Sequence, residues 1–289
     1  MDLQNILIGT DFSPWSEAAL RCAAALAKRF QARLFVVHAI ADSMYANVPP
    51  ELLAEAKTRT IADARRKLEE ISSRFSGLQT QIILEQGPPS EVLLRLAEAK
   101  SIELLVVGTQ GHASIKRFLL GSFAEKLARQ SRCPVLVTPE SSLPVEEFTL
   151  KTILCPTNFS ERSIGALKYA WAFAKTFSAH IILMHVILMH VVQDQILSRA
   201  DRISQTTKAE GPMSRLSSSL SAGDRSREAE LAVEFGAPAE TIIKVAGERN
   251  ADLIVLSIQR DKPLVAHLPP EVTFLVAAQA PCPVLTLAT

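Results

Sequence analysis

Three short segments of this chain occur twice, in the same order and at nearly the same separation. Ile6-Leu7-Ile8-Gly9-Thr10-Asp11-Phe12-Ser13 returns as Ile153-Leu154-Cys155-Pro156-Thr157-Asn158-Phe159-Ser160, 147 residues later. Gly87-Pro88-Pro89-Ser90-Glu91 returns as Gly236-Ala237-Pro238-Ala239-Glu240, and Cys133-Pro134-Val135-Leu136 as Cys282-Pro283-Val284-Leu285, both 149 residues later. An offset that drifts by only two residues across three anchors marks a tandem duplication. Whatever one half folds into, the other must fold into as well, so the 289 residues read as two domains. The expected units are residues 1–142 and 148–289, with Pro139-Glu140-Ser141-Ser142-Leu143-Pro144 as the linker region.

Within the first unit, apolar runs alternate with helical patterns. Ile6 to Gly9, Leu34 to Ile40, Thr80 to Glu85, Glu103 to Val107 and Pro134 to Thr138 read as strands. Their continuous apolar character is that of parallel strands covered on both faces. Ser13 is placed to cap an Ala-rich helix running from Pro14 and Trp15 to about Phe30. A long amphipathic helix is expected over Glu51 to Phe75, closed by Gly77, and shorter ones over Ser90 to Ala99 and Phe123 to Gln130. Five strands alternating with helices make a doubly wound α/β unit with helices on both faces of a parallel sheet.

Composition narrows the function classes. Lys plus Arg (31) nearly balances Asp plus Glu (30), so no global field recruits nucleic acid or an anionic membrane. The four cysteines, Cys22, Cys133, Cys155 and Cys282, form no CxxC or His/Cys cluster and read as reduced core thiols of a cytoplasmic protein, without a metal site. The N-terminus lacks the basic region of a signal peptide, and the longest apolar run, Ile181 to Val192, is too short to span a bilayer.

The chemistry is concentrated where the fourth strand ends. Leu104-Leu105-Val106-Val107 runs into Gly108, and Gly111 and the pair Gly121-Ser122 follow before the next helix. Backbone without Cβ atoms can approach an oxyanion closely, and a helix N-terminus offers N–H groups and a positive dipole end. This is a phosphate cradle, but neither a Walker A loop nor GxGxxG. Turn glycines before an ordinary helix are the plainer alternative.

The spacing Gly108-x2-Gly111-x9-Gly121-Ser122, with Val-Gly-Thr-Gln-Gly, Arg-Phe-Leu-Leu-Gly-Ser-Phe-Ala-Glu-Lys and Cys-Pro-Val-Leu-Val around it, resembles the nucleotide-binding signature of the universal stress protein family. With the duplication, the resemblance covers nearly the whole chain, as a two-copy member. It implies two Rossmann-like (adenine nucleotide alpha hydrolase-like) domains of sheet order 3-2-1-4-5, with a ligand crevice between strands 1 and 4. It also implies that Asp11 contacts adenine, that backbone near Gly9 and Ala39 borders the base, and that Gly108, Gly111, Gly121 and Ser122 take ribose and phosphates, with Phe123 beside them. Asp11 could instead be a turn residue beside Ser13, and Ser122 a helix cap. His112, Lys116 and Arg117 lie in the arm between Gly111 and Gly121; Arg117 is the stronger candidate for a phosphate contact, and loop charges can equally be solvated. The family often has Arg at the position of His112 and Gly at that of Ser114. The protein supplies no metal ligands of its own; Ser122 would lie near a nucleotide-bound Mg. His38 and His185 occupy matched strand positions and read as histidines satisfied by backbone.

The second copy departs at each of these places. Asn158 replaces Asp11, Pro156 replaces Gly9, Ser257 replaces Gly108, and Pro270-Glu271 stand where Gly121-Ser122 would be. Proline removes a donor and glutamate adds a repelling charge, so this half reads as a degenerate domain that has lost the site. Its middle is hard to read: Ile182-Leu183-Met184-His185-Val186 is repeated at once as Ile187-Leu188-Met189-His190-Val191. Because five is odd, one copy is expected to leave the sheet or a bulge to absorb the change. Leu197 to Arg227 reads as a helix broken by Gly211-Pro212 or an excursion.

The expected protein is a stress-response sensor or regulator that binds an adenine nucleotide, ATP with or without Mg, in its N-terminal half. The two halves are expected to form an intramolecular pseudo-dimer with their fifth strands near the seam, and pairing with a second chain is also open. The loops offer no nucleophile–base pair and no placed general base, so catalysis is at most slow ATP hydrolysis. The alternatives are a slow ATPase and an interaction scaffold that binds no nucleotide.

Overall fold

The computed structural model describes residues 2–75, 77–110, 120–140, 148–188, 198–221, 228–260 and 271–288. The chain divides into two compact units, Asp2–Phe148 and Thr149–Leu287. The first contains β1 (Asn5–Gly9), α1 (Pro14–Phe30), β2 (Arg33–Ile40), α2 (Leu53–Arg74), β3 (Thr80–Gln86), α3 (Pro89–Ala99), β4 (Leu104–Gly108), α4 (Ser122–Gln130) and β5 (Val135–Thr138). Its strands lie side by side as β3-β2-β1-β4-β5, and every pair is parallel. Ile6, Leu7 and Ile8 of β1 and Leu104 to Val107 of β4 are fully buried, as continuous apolar runs demand of central strands.

Right-handed crossovers put α1 and α2 on one face and α3 and α4 on the other. Arg74 of α2 binds Glu17 of α1, and Lys126 of α4 reaches Glu91 of α3 at 3.3 Å. Ser13 caps α1 by accepting the Ser16 N–H (3.3 Å), and Pro14 occupies the first turn, where no intrahelical donor is needed. A run of buried alanines, Ala18, Ala19, Ala23, Ala24, Ala25 and Ala27, lets α1 lie close against the sheet. At the N-terminal edge, the Glu103 carboxylate accepts the backbone N–H groups of Gln4 and Asn5, fixing the start of β1 beside the start of β4.

The second unit repeats the plan with β6 (Thr152–Pro156), α5 (Glu161–Phe177), β7 (His180–Leu188), α6 (Arg199–Leu220), β8 (Glu230–Gly236), α7 (Pro238–Glu248), β9 (Leu253–Ile258), α8 (Val272–Gln279) and β10 (Val284–Ala288). Its order, β8-β7-β6-β9-β10, is again 3-2-1-4-5 in local numbering. Even the carboxylate clamp recurs: Asp252 Oδ2 accepts the N–H groups of Lys151 (2.7 Å) and Thr152 (2.9 Å).

Two sequence expectations need correction, and one more is answered in part. Gly211-Pro212 does not break the helix: α6 runs through it from Arg199 to Leu220. Proline forfeits one intrahelical bond, but the steric block on its predecessor falls largely on a Cβ that glycine lacks. Burial of Ala209, Met213 and Ser217 at helical spacing then holds the turns together.

The repeated Ile-Leu-Met-His-Val segment does not put a bulge into the described strand. β7 stays in step with β8 from Ile182↔Glu230 to Leu188↔Gly236. The odd period is absorbed by a change of environment: Leu183 is fully buried, whereas its copy Leu188 is 51% exposed at the strand end. Met189, His190 and Val191 lie outside the described residues.

The long helix of the first unit is the third case. It starts at Leu53 rather than Glu51 and ends at Arg74, because Pro50–Leu52 forms a separate 3-10 turn ahead of it. Gly77 adopts φ 99°, the left-handed region that favours glycine after a helix end.

Candidate functional site

The C-terminal ends of β1 and β4 are adjacent, through the pairs Ile6↔Leu104, Leu7↔Leu105 and Ile8↔Val106. Beyond them lie the Thr10–Ser13 loop on one side and the N-terminus of α4 on the other. This is the crevice position of an open parallel sheet, where the strand order reverses. Gly121 carries α4 back to the strand exit, its N–H donating to the Thr109 carbonyl at 3.0 Å. Thr109 is in turn held by its own N–H to the Thr138 carbonyl (3.2 Å).

The residues expected at the site separate on this frame. Gly9, Asp11, Gly108, Gly121, Ser122 and Phe123 come together at this end of the sheet. Ala39 is the penultimate residue of β2, inside the strand and paired with Glu85. Gly111, His112 and Arg117, with Ser114 and Lys116, lie outside the described residues.

Gly108 has a packing reason to be glycine. A Cβ there would lie 2.8 Å from the Trp15 carbonyl oxygen and 2.9 Å from its carbon. The first turn of α1 fills the space that a side chain would need. A Cβ on Gly9 would meet only the end of the Leu93 side chain, at 2.4 Å.

The α4 terminus does not follow the alternative in which Ser122 is the helix cap. Gly121 is the N-cap, with φ −61°, and Ser122 is the first helical residue, exposed to solvent. The first intrahelical bond is Glu125 N–H to Gly121 O at 3.0 Å. The N–H groups of Ser122, Phe123 and Ala124 precede it and have no carbonyl within the helix to bind. With the Gly121 N–H committed to Thr109, these three are the helix donors suited to an anion.

On the opposite wall, Asp11 Oδ1 accepts the Ser13 N–H at 3.0 Å, an Asx turn leading into α1. Thr10 is bound at each polar group. Its N–H donates to Val37 O (2.8 Å), its hydroxyl lies 3.1 Å from Ser16 Oγ, and its carbonyl meets His38 Nδ1 at 2.7 Å. The imidazole also packs on Phe12, ring centroids 4.4 Å apart, and Lys67 Nζ lies 5.0 Å above the other ring. Phe12 has φ 63°, an unusual conformation for a bulky residue. Burial holds the His38 pKa below its ordinary 6.5; the Thr10 bond and Asp11 oppose that shift, and Lys67 adds to it.

Sequence reasoning placed His38 against backbone, and the structure names the partner. It missed that Phe12, Thr10 and Ser16 belong to the same network. The signal was present: Thr157, Phe159, Ser160, Ser163 and His185 repeat it at the constant offset of 147. His185 Nδ1 lies 2.8 Å from Thr157 O, its ring 4.6 Å from Phe159 with φ 61°, and Asn158 Oδ1 accepts the Ser160 N–H at 3.2 Å. The turn geometry is thus served equally by Asp and Asn.

Opposite this loop the second half differs. Glu271 takes the N-cap position of α8, and Thr273 Oγ1 donates to the Ser257 carbonyl (3.0 Å). Residues 261–270, which include Pro263 and Pro270, lie outside the described residues.

All four cysteines are free thiols; burial pushes Cys22 and Cys282 up to about 12 and also raises Cys133 and Cys155, which makes them poor nucleophiles. Among the described residues, no helix is long and apolar enough to cross a membrane.

Fold and crevice define a tandem of doubly wound parallel α/β units, the first with a helix N-terminus facing an acidic turn across two paired strand ends. A model of the universal stress protein family matches residues 3–139 and again residues 149–287, so the chain belongs to that family, with two copies of its domain. Universal stress protein MJ0531 of Methanocaldococcus jannaschii is 30% identical over 138 residues, covering 46% of this chain and 81% of its own length. Universal stress protein YxiE of Bacillus subtilis is 30% identical over 143 residues, 46% of this chain and 97% of its own. A universal stress protein from Archaeoglobus fulgidus superposes with a TM-score of 0.71 at 18% identity, covering 98% of both chains, a likeness of fold.

Proposed function

We propose that the N-terminal half binds one adenine nucleotide, ATP in the first instance, and that the protein acts as a nucleotide-dependent sensor or regulator of a stress response in the cytoplasm. The observation that carries this reading is the pairing of β1 with β4, which sets Asp11 across from the α4 terminus, where Ser122, Phe123 and Ala124 present N–H groups. An acidic group suits the exocyclic amine of adenine, and a helix N-terminus suits phosphate. The exposed Ser122 hydroxyl would lie beside the phosphates, where it can accompany a Mg ion that the nucleotide brings. Gly111, His112 and Arg117 belong to the proposed phosphate side through the family resemblance, and Gly9 and Ala39 to the base side.

The second half is proposed to be a degenerate domain without nucleotide. Glu271 stands at the N-cap position of α8, where the first half has Gly121, and a carboxylate on that residue disfavours phosphate by like-charge repulsion.

Hydrolysis is expected to be very slow or absent. Phosphoryl transfer needs an oriented nucleophile, and the described walls of the crevice commit Asp11 Oδ1, Thr10 and Ser13 to the turn. Mass spectrometry of protein purified without added nucleotide tests the reading: co-purifying ATP or another adenine nucleotide supports it. Clean protein that also binds none when titrated favours an interaction scaffold, and ordinary enzymatic turnover, on the order of 1 per second, favours an ATPase.

A further inference from the structure

We infer that His38 is a positioning residue for the proposed nucleotide site: it sets the orientation of the Thr10–Asp11 peptide and thereby of the loop that carries Asp11. The inference rests on the nucleotide-binding reading and adds a residue outside the crevice lining. His38 stands on β2, and its Nδ1 is 2.7 Å from the Thr10 carbonyl oxygen. A carbonyl can only accept, so Nδ1 carries the hydrogen and, in the neutral ring, Nε2 is the bare nitrogen. The peptide that follows is trans, as are the other described peptides, so its C=O and N–H point in opposite directions. Holding the carbonyl toward β2 therefore turns the Asp11 N–H away from β2, the side on which β4 lies.

The ring adds a second restraint. Phe12 follows Asp11 with φ 63°, a conformation disfavoured for an aromatic residue, and its ring packs against His38 in a tilted contact with centroids 4.4 Å apart. Asp11 is thus bracketed by two residues that His38 holds, one by its nitrogen and one by its face. The bond and the tilted ring contact recur at His185, with Thr157 and Phe159 around Asn158. Recurrence in both halves supplies an internal control: the same contact can be removed where the proposed site is intact and where it is not.

The test uses the full chain and MgATP titrated by calorimetry, with three variants. His38→Phe keeps an aromatic ring against Phe12 and removes the donor; His38→Asn keeps a donor near the position of Nδ1. His185→Phe makes the donor-removing change in the second half. Loss of an orienting hydrogen bond should weaken binding roughly threefold to tenfold in His38→Phe, with partial recovery in His38→Asn. His185→Phe should lower the melting temperature while leaving affinity unchanged. Unaltered affinity in a folded His38→Phe, or an equal loss in His185→Phe, would overturn the inference. Wild-type protein that binds no MgATP would overturn the underlying reading as well, so the two failures are told apart by the first titration. Should the variants not fold, nitrogen-15 spectra of the wild-type imidazole decide: protonated Nδ1 in the neutral ring is expected, and the Nε2–H tautomer would contradict the geometry.

Discussion

Gly108 ends β4 where the backbone of Trp15 comes so close that a Cβ would stand 2.8 Å from the Trp15 carbonyl oxygen. A glycine that the sequence suggests for a ligand is thus required first by the packing of α1 against β4. Gly108→Ala should therefore destabilise the folded protein by about 1–3 kcal/mol, the usual cost of overpacking, even without nucleotide. Chemical denaturation of the unliganded protein reads this directly; a neutral effect would mean that α1 can shift at no cost.

Gly121 behaves differently. Its φ of −61° suits any residue, and a Cβ would meet Thr109 O at 3.3 Å, a tight contact that a small shift relieves. Aspartate at an N-cap accepts the N–H of the second or third helical residue, so Gly121→Asp should retain the fold while its carboxylate competes for the donors of Phe123 and Ala124. Nucleotide affinity should fall at least about a hundredfold, from lost donors and charge repulsion together. Gly121→Ala, which adds bulk without charge, should lose far less. Equal losses in the two variants would make the effect steric and remove the anion argument.

The carboxylate clamps predict a stability effect far from the crevice. Glu103→Ala deprives the Gln4 and Asn5 N–H groups of their acceptor and should cost about 1–3 kcal/mol. Asp252→Ala should act alike at Lys151 and Thr152. Nucleotide affinity, measured on the same proteins, should not change.

His38 predicts a pH dependence. Its folded pKa lies below 6.5, through burial first and Lys67 second, against the opposing Thr10 bond and Asp11. As pH falls through 6.5 the unfolded chain takes up this proton before the folded one, so stability declines across the window between 6.5 and the lower folded value. Above 6.5 this contribution is fully present. His38→Asn should flatten that part of the profile relative to wild type. A wild-type stability that rises on acidification more than that of the variant would contradict the burial argument.

Much of this fold was readable because it rests on local chemistry stated twice. The apolar runs of β1 and β4, the Ser13 and Ser160 caps and the three repeated anchors fix elements whose cause lies within a few residues. What resisted reading depends on tertiary context. Pro212 sits inside α6 because packing of Ala209, Met213 and Ser217 outweighs one missing bond. The copied Leu188 stays in β7 because the register with β8 is kept, at the expense of an exposed leucine. At the site, the sequence put Asp11 and the Gly-Ser pair at the ends of β1 and β4 and the start of α4, and their part in binding is proposed from the family resemblance. The bond of the Gly121 N–H to Thr109 closes within the motif but is not given by its spacing, and the glycine-requiring contact of Gly108 with Trp15 involves a partner distant in sequence that no motif encodes.

The central claim is that one half of a duplicated fold binds nucleotide and the other does not. Calorimetric titration of the full chain with MgATP, after removal of any co-purified nucleotide, measures this as a stoichiometry. The account predicts about one site per chain, abolished by Gly121→Asp. Two equivalent sites, or binding that survives Gly121→Asp in a folded protein, would contradict it.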